Sequence, residues 1–407
     1  MTGSQSAAPG APDGASEPGT DAAFRATVRE WLADNLTGAF AELRGLGGPG
    51  REHEAHSERL EWDRHLAAHG WTCIGWPVEH GGRGLPVSQQ VIWHEEYARA
   101  DAPSRVNHLG EELLGPTLIA FGTPEQQRRF LPQIRMVREL WCQGYSEPNA
   151  GSDLANVATT ARLVGTQWSI TGQKVWTSLA HLADWCFVVA RTDPGSTRHA
   201  GLSYLLVPMK QPGVAVRPIV QLTGTSEFNE VFFDDARTDA SLVVGAPGDG
   251  WRIAMGTLGF ERGVATLGKQ VGFERELADL IALARANGTA DDPVIRERLS
   301  RAWMGVEVMR AHAVRTLAGV TSGKASAGAE ASVAKLLWAH WHRDLGELAM
   351  QVRGASSLVM DKPGPDLDEW QRMFLFTRAD TIYGGSDEVQ RNIIAERTLG
   401  LPREART

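Results

Sequence analysis

The sequence predicts a multidomain α+β protein: an N-terminal helical domain, a middle antiparallel β domain and a C-terminal helical bundle. Three observations carry that reading. From Asp21 to about Leu140, apolar residues recur at helical spacing, as in Phe24, Val28, Trp31 and Leu32, and again in Val87, Val91 and Ala98. Between Trp141 and about Ala240, short β-branched and aromatic runs (Trp185–Ala190, Leu202–Val207, Val231–Phe233) alternate with Gly, Pro, Asn and Asp turns. From Gly250 onward helical periodicity returns around 251–286, 291–321, 328–353 and 385–398, with stops at Gly288, Gly323 and Pro363. The expected division is a disordered tail at 1–20, a helical domain at 21–140, a β domain at 141–240, a bundle at 241–400 and a short tail at 401–407.

The elements follow from local chemistry. Residues 1–20 are mostly Gly, Ala, Ser and Pro and cannot bury enough surface to offset ordering. Thr123-Pro124-Glu125-Gln126 reads as a helix start, with a threonine cap, proline in the first turn and glutamine closing a capping box. Gly45-Leu46-Gly47-Gly48-Pro49-Gly50 fits a dinucleotide-binding spacing literally, but no apolar strand precedes it and Pro49 spoils a helix start, so it reads as a loop. Gly75-Trp76-Pro77-Val78-Glu79-His80-Gly81-Gly82-Arg83-Gly84 reads as a chain reversal.

Composition excludes several classes of function. A net charge of −8 without a long basic run argues against a nucleic-acid or anionic-membrane partner. Three widely spaced cysteines form no Cys-x-x-Cys, which argues against a disulfide framework or zinc site. No apolar run reaches membrane-spanning length and no signal-peptide pattern opens the chain, so a reducing cytoplasmic setting is expected.

Three stretches carry chemistry. Tyr383-Gly384-Gly385-Ser386-Asp387-Glu388-Val389-Gln390-Arg391 reads as a sharp turn opening a helix, whose free N–H groups suit a polarised oxygen and whose glycines allow close approach. Gly144-Tyr145-Ser146-Glu147-Pro148-Asn149-Ala150-Gly151-Ser152-Asp153 is a turn-rich loop offering hydroxyls and N–H groups. Gly172-Gln173-Lys174-Val175-Trp176-Thr177-Ser178 follows a hairpin, and a tryptophan in such a strand is by default a core residue. Histidine pairs such as His340-Trp341-His342 and His53-Glu54-Ala55-His56 lack further ligands in a metal pattern and read as ordinary histidines.

All three stretches resemble signatures of the acyl-CoA dehydrogenase family: Tyr-Glu-Gly-Thr-Ser/Asn-Glu-Ile-Gln-Arg, Thr-Glu-Pro-x-Ala-Gly-Ser-Asp and Gly-x-Lys-x-Trp-Ile-Thr. The resemblance covers nearly everything after the tail. It implies the family's fold and a FAD-dependent α,β-dehydrogenation of an acyl thioester, with an electron-transfer flavoprotein or similar acceptor and a homotetrameric or mixed oligomer. It places Tyr145, Ser146, Trp176 and Ser178 on the flavin, Ser386 and Glu388 on its adenosine half, and Ser152, Arg262 and Tyr383 around the thioester. Ala349-Met350-Gln351-Val352-Arg353-Gly354-Ala355 resembles a Gln-x-x-Gly-Gly segment, which assigns Gln351 and Gly354 to the flavin pyrophosphate of a neighbouring subunit; Arg285 stands where an arginine contact would fall.

One departure governs the catalytic assignment. Many family members carry the proton-abstracting glutamate after the signature tyrosine, and here that residue is Gly384. Glu261 lies on a stripe of small and apolar residues (Ala254, Leu258, Ala265, Gly268, Gly272), an expensive place for a solvated charge. Spacing alone allows a structural pair with an arginine equally well. The resemblance favours catalysis: isovaleryl-type and long-chain members bear the glutamate just before an arginine on this helix, as in Glu261-Arg262, with a small residue in the C-terminal slot. Gly384 is then expected to donate its N–H to the thioester oxygen. The chain also resembles bacterial enzymes of sterol side-chain breakdown, some built from two different subunits. The same fold hosts oxidases, monooxygenases, carrier-protein-linked enzymes and non-catalytic subunits.

Overall fold

The structure, a computed structural model, describes residues 18–261, 269–321, 327–360 and 367–402. The expected stops at Gly323 and Pro363 lie outside the described residues. The N-terminal part consists of α1 (Pro18–Asn35), α2 (His56–Ala68), α3 (Val87–Arg99), α4 (Gly115–Phe121) and α5 (Pro124–Arg135). Helix α1 thus begins at Pro18, before the expected boundary. Its core is aromatic: Trp71 stacks on Trp93 with centroids 4.7 Å apart, beside buried Trp62, Leu32 and Leu66. The Thr123–Gln126 capping box at the start of α5 is present as the sequence predicts.

The glycine run at 45–50 is a loop wound around a buried arginine. Arg59 on α2 donates to the Glu54 carbonyl (2.8 Å) and the Ser104 carbonyl (2.9 Å), and a Cβ on Gly47 would stand 2.2 Å from its guanidinium. The glycines let the backbone approach that cation closely, and no nucleotide is needed to explain them.

The middle part is one eight-stranded sheet: β1 (Trp141–Gly144), β2 (Thr160–Val164), β3 (Gln167–Ser178), β4 (Trp185–Arg191), β5 (Leu202–Pro208), β6 (Val214–Pro218), β7 (Phe228–Asp239) and β8 (Val243–Val244). The order is β6-β7-β3-β2-β4-β5-β8, with β1 on β4. Most ladders are antiparallel as expected, but β1 runs parallel to β4, so the sheet is mixed. Strand β4 is buried along Cys186–Ala190, which is why it reads as a continuous apolar run.

One polar pair is sealed inside this sheet. Lys174 on β3, with no exposed surface, donates to Glu147 Oε1 (2.7 Å), the Tyr145 carbonyl (3.0 Å) and the Val189 carbonyl (2.7 Å). Glu147 also accepts from the Ala158 and Thr159 amides at 2.6 and 3.0 Å. Burial raises the Glu147 carboxyl pKa, but Lys174 and these donors outweigh it and hold it below the usual range.

The C-terminal part comprises α6 (Gly250–Glu261), α7 (Lys269–Ala286), α8 (Pro293–Thr321), α9 (Ala327–Arg353), α10 (Glu369–Phe376) and α11 (Asp387–Ile393). Gly288 stops α7's continuation at φ +82°, as expected. Helix α10, which the sequence reading did not anticipate, is capped by Asp368 with Gln371 returning the bond, and packs on α9. Helix α6 packs instead on α4 and β5, so it belongs spatially to the sheet and the N-terminal helices. Its buried Ile253 and Ala254 join a core with Leu114, Phe187 and Tyr204.

Replacing Lys174 with Met leaves the Glu147 carboxylate buried with two amides but no cation, and should cost ~3–5 kcal/mol in urea unfolding. The double change Lys174→Met with Glu147→Leu should not restore stability, because the Ala158 and Thr159 amides then lose their acceptor. A variant as stable as the parent would show that the pair is not an anchor.

Candidate active site

Strand β3 departs from regular pairing beside the candidate residues Trp176 and Ser178. Its register with β7 shifts between Lys174 and Thr177, leaving Val175 and Trp176 out of the ladder. The Val175 amide donates instead to the Ser146 carbonyl at 2.9 Å. Trp176 takes φ +60° and is 58% exposed, with an edge contact to Phe228 at 6.1 Å. A bulky residue in this backbone region costs about 1–3 kcal/mol and persists only where its surroundings impose it. A bulge that turns a large aromatic outward is a device for re-aiming a side chain. The default expectation for a strand tryptophan, that it joins the core, does not hold for Trp176.

The 144–153 loop is fixed to the same strand. Lys174 and Val175 bond it at Tyr145, Ser146 and Glu147, so two stretches 27 residues apart at Glu147 and Lys174 form one unit. Ser146 and Ser178 are partly exposed and Ser152 is exposed. The Tyr145 ring is 5% exposed and packs edge-on against Phe187 and Tyr204 at 6.0 and 6.2 Å.

Beyond Ser178 lies a cleft of about 590 Å³ where three parts of the chain meet. Leu179 and His181 line it just after β3, Glu227 just before β7, His53 from the segment that follows the glycine run, and Arg372 from α10. His53 Nδ1 is 3.6 Å from Glu227 Oε1 across it.

The segment after α10 carries the glycine turn. Tyr383, Gly384 and Gly385 precede α11, with φ +65° at Gly384 and +89° at Gly385. Ser386 caps α11 by accepting from the Val389 amide. The buried Gln390 side chain donates to the Gly384 carbonyl at 2.8 Å, and a Cβ on Gly385 would stand 2.6 Å from that same amide. Among the described residues the Gly384 N–H has no acceptor. Glu388 is largely exposed, with Arg391 3.8 Å away.

His340 and His342, outside any metal pattern as the sequence suggests, are paired with carboxylates. His342 on α9 donates Nδ1–H to Asp380 Oδ2 (2.7 Å), and its Nε2 lies 3.1 Å from Glu276 on α7. Asp380, 1% exposed, also accepts from Tyr383 OH at 2.7 Å, and its carbonyl accepts from Lys335. His340 bonds Asp387 at 2.5 Å on the far side of the turn. Burial lowers the His342 pKa, but Glu276 and Asp380 outweigh it and raise it to about 10. The signal was present in the sequence only as acids on both sides of the signature.

Arg285, Gln351 and Gly354 gather at one end of the bundle. Asn287 Nδ2 donates to the Val352 carbonyl (2.8 Å), joining the ends of α7 and α9. Arg285 and Gln351 are exposed, Gln351 accepts from Arg298 at 2.5 Å, and Gly354 takes φ +60°. Among the described residues no hydrogen bond links this group to the β3 bulge. Glu261 is the last described residue of α6, and Arg262 lies outside the described residues. No cluster of His, Cys, Asp and Glu among them could hold a metal ion.

Three family descriptions match in chain order: the acyl-CoA dehydrogenase N-terminal domain at residues 19–136, the middle domain at 142–236 and the C-terminal domain at 248–399. Acyl-CoA dehydrogenase IpdE1 of Mycobacterium tuberculosis is 70% identical over 94% of this chain and 98% of its own length. The chain belongs to the acyl-CoA dehydrogenase family. Its counterpart of the same name from Mycolicibacterium smegmatis is 66% identical over 94% of this chain and 98% of its own. Among solved structures, the Tcur3481-Tcur3483 steroid ACAD matches at 30% identity and TM-score 0.82, covering 96% of this chain and 99% of that one. The ChsE4-ChsE5 complex from Mycobacterium tuberculosis matches at 29% identity and TM-score 0.77, covering 96% and 99%. Family members are flavoproteins. The three described helical and sheet regions are this acyl-CoA dehydrogenase's N-terminal, middle and C-terminal parts, and no described helix is long and apolar enough to cross a membrane.

A group whose pKa is raised by folding adds stability that is complete below its unfolded value and lost as pH climbs to the folded one. The thermal stability gap between the parent and His342→Asn should therefore be full near about pH 6 and shrink steadily toward pH 10. Melting temperatures of both proteins across that range check it, and a gap independent of pH would remove the charged His342 from the account.

Proposed function

We propose that this acyl-CoA dehydrogenase introduces a trans α,β double bond into an acyl-CoA whose acyl group is bulky and ring-bearing, with Glu261 as base and FAD as the flavin. The observation that carries the base assignment is Gly384 itself. At φ +65° an L-residue is strained, so the turn that other members use to present a glutamate is here shaped for glycine. Its N–H is unclaimed among the described residues and suits the thioester oxygen as negative charge develops there. The acid then has to come from another element, and Glu261 at the end of α6 supplies one.

The residues present suit a flavin. An exposed Trp176 held outward at a bulge offers a flat face, with the Ser178 hydroxyl two residues on and the Ser146 loop bonded alongside. Ser386 and Glu388 would face its adenosine half, while Arg285, Gln351 and Gly354 would serve the pyrophosphate bound mainly by a second subunit. When bound, FAD accepts the hydride that leaves the β carbon. Glu261 takes the α proton, whose C–H electrons become the new double bond. Gly384 stabilises the enolate-like oxygen, and Ser152, Arg262 and Tyr383 hold the thioester.

The steroid ACAD named above supports the ring-bearing substrate class, and the ChsE4-ChsE5 complex supports a mixed oligomer with a second, related subunit. An electron-transfer flavoprotein would take the electrons onward. The three cysteines, all buried and free, fit a reducing cytoplasm.

Glu261→Gln should lower turnover by about 10²–10⁴-fold while the bound flavin spectrum stays near that of the parent. Stopped-flow anaerobic bleaching with steroid-derived and straight-chain acyl-CoAs reads both base and substrate class, and near-normal bleaching by the Gln variant would place the base elsewhere. Reduced enzyme should be reoxidised by an electron-transfer flavoprotein much faster than by air. Rapid reoxidation by air alone would instead mark an oxidase.

A further inference from the structure

The His340-Trp341-His342 run touches the Gly384 turn from both sides, and no part of the proposed chemistry accounts for it. One helix, α9, presents two imidazoles two residues apart to two carboxylates seven residues apart. His342 reaches Asp380 at 2.7 Å, four residues before Gly384, and His340 reaches Asp387 at 2.5 Å, three residues after it. Two facts make the first pair more than a surface contact. Asp380 is almost fully buried, and both its oxygens are engaged: His342 bonds one and the Tyr383 hydroxyl the other, while Lys335 of the same helix takes its carbonyl. His342 is in turn held from behind by Glu276 on α7 and packed against the Phe273 ring at 5.0 Å. The turn between the acids contains two successive glycines at positive φ, the least restrained backbone available to the chain. Gln390 pins only the Gly384 carbonyl.

We propose that His340 and His342 are positioning residues that clamp the Tyr383–Ser386 turn onto α9, through Asp387 and Asp380, and so fix the direction of the Gly384 N–H. Neither imidazole touches the reacting atoms. The clamp substitutes for the conformational restriction that a non-glycine residue would bring, and it matters because an oxyanion donor works only if its direction is set before charge develops. The inference deepens the proposed function and rests on its assignment of Gly384. It concerns the transition state rather than ground-state binding, so its signature is a loss in kcat with KM little changed.

The test compares the parent with His340→Ala/His342→Ala and with His340→Gln/His342→Asn, in which each amide nitrogen takes the place of the donating ring nitrogen. Amide hydrogen exchange is followed at Ile382, Tyr383 and Asp387, whose N–H groups bond within this segment, alongside FAD content, kcat and KM with the best acyl-CoA. The alanine pair should exchange faster there and lose on the order of 10- to 100-fold in kcat, with KM and FAD content nearly unchanged. The amide pair should recover most of both. Parent-like exchange in the alanine pair, a rise in KM alone, or an amide pair as impaired as the alanine pair would each overturn the clamp. If the alanine pair does not fold, His340→Ala alone, at the more exposed position, carries the same comparison with His340→Gln. Should the parent bleach with no acyl-CoA, the proposed function fails while the exchange measurement still decides the clamp.

Discussion

The ion pair between Lys174 and Glu147 is the contact on which the candidate site depends. Each of two charges this deeply buried is costly without the other, so the pair fixes the geometry of whatever carries it. Here it ties β3 to the 144–153 loop. Burial lowers the Lys174 pKa, and Glu147 only partly offsets that shift, while three acceptors surround the ammonium group. With that link in place, the Val175 amide can leave the β7 ladder for the Ser146 carbonyl, and the chain must then turn Trp176 outward. Exposure of the tryptophan is a consequence of where the lysine is buried two residues earlier.

The β3 bulge and the Gly384 turn solve the same problem by opposite means. At the bulge a bulky residue is forced to positive φ and the surrounding bonds bear the strain. At the turn the residue is glycine, strain is absent, and order has to be imposed by side chains from elsewhere. Strained sites can be built from backbone bonds within one sheet, because the ladder on either side is rigid. A glycine turn between two helices has no such ladder, which is why the contacts to it come from α9 and from Gln390.

The helical, sheet and helical order of the chain was legible in its periodicities, and so were the strands around Trp185, Leu202 and Val231, because buried strands and amphipathic helices advertise themselves in runs of apolar residues. Helix α10 was not, since eight residues make little more than two turns and repeat a helical period too few times to stand out. The family signatures exposed the candidate residues but not their conformations. The packing of the Tyr145 ring on Phe187 and Tyr204 across the sheet was not legible, because that contact depends on pairing β1 parallel to β4. The carboxylate partners of His340 and His342 were not legible either, since they lie about forty residues away and are brought to α9 only by tertiary packing.

The proposed transfer of the base from the glycine turn to α6 has a structural logic of its own. Helix α6 packs on α4 and β5, on the side of the molecule that belongs to the sheet, whereas the glycine turn belongs to α9 and α11. A base and an oxyanion donor on one short turn would have to move together, and any loosening of that turn would misplace both. Divided between two bodies, each can be held by its own packing, and the space between them is set by how the helical bundle meets the sheet. A backbone donor at a residue without a side chain also occupies the least volume that an oxyanion contact can, and under the proposed assignment that would leave room for a wide acyl group.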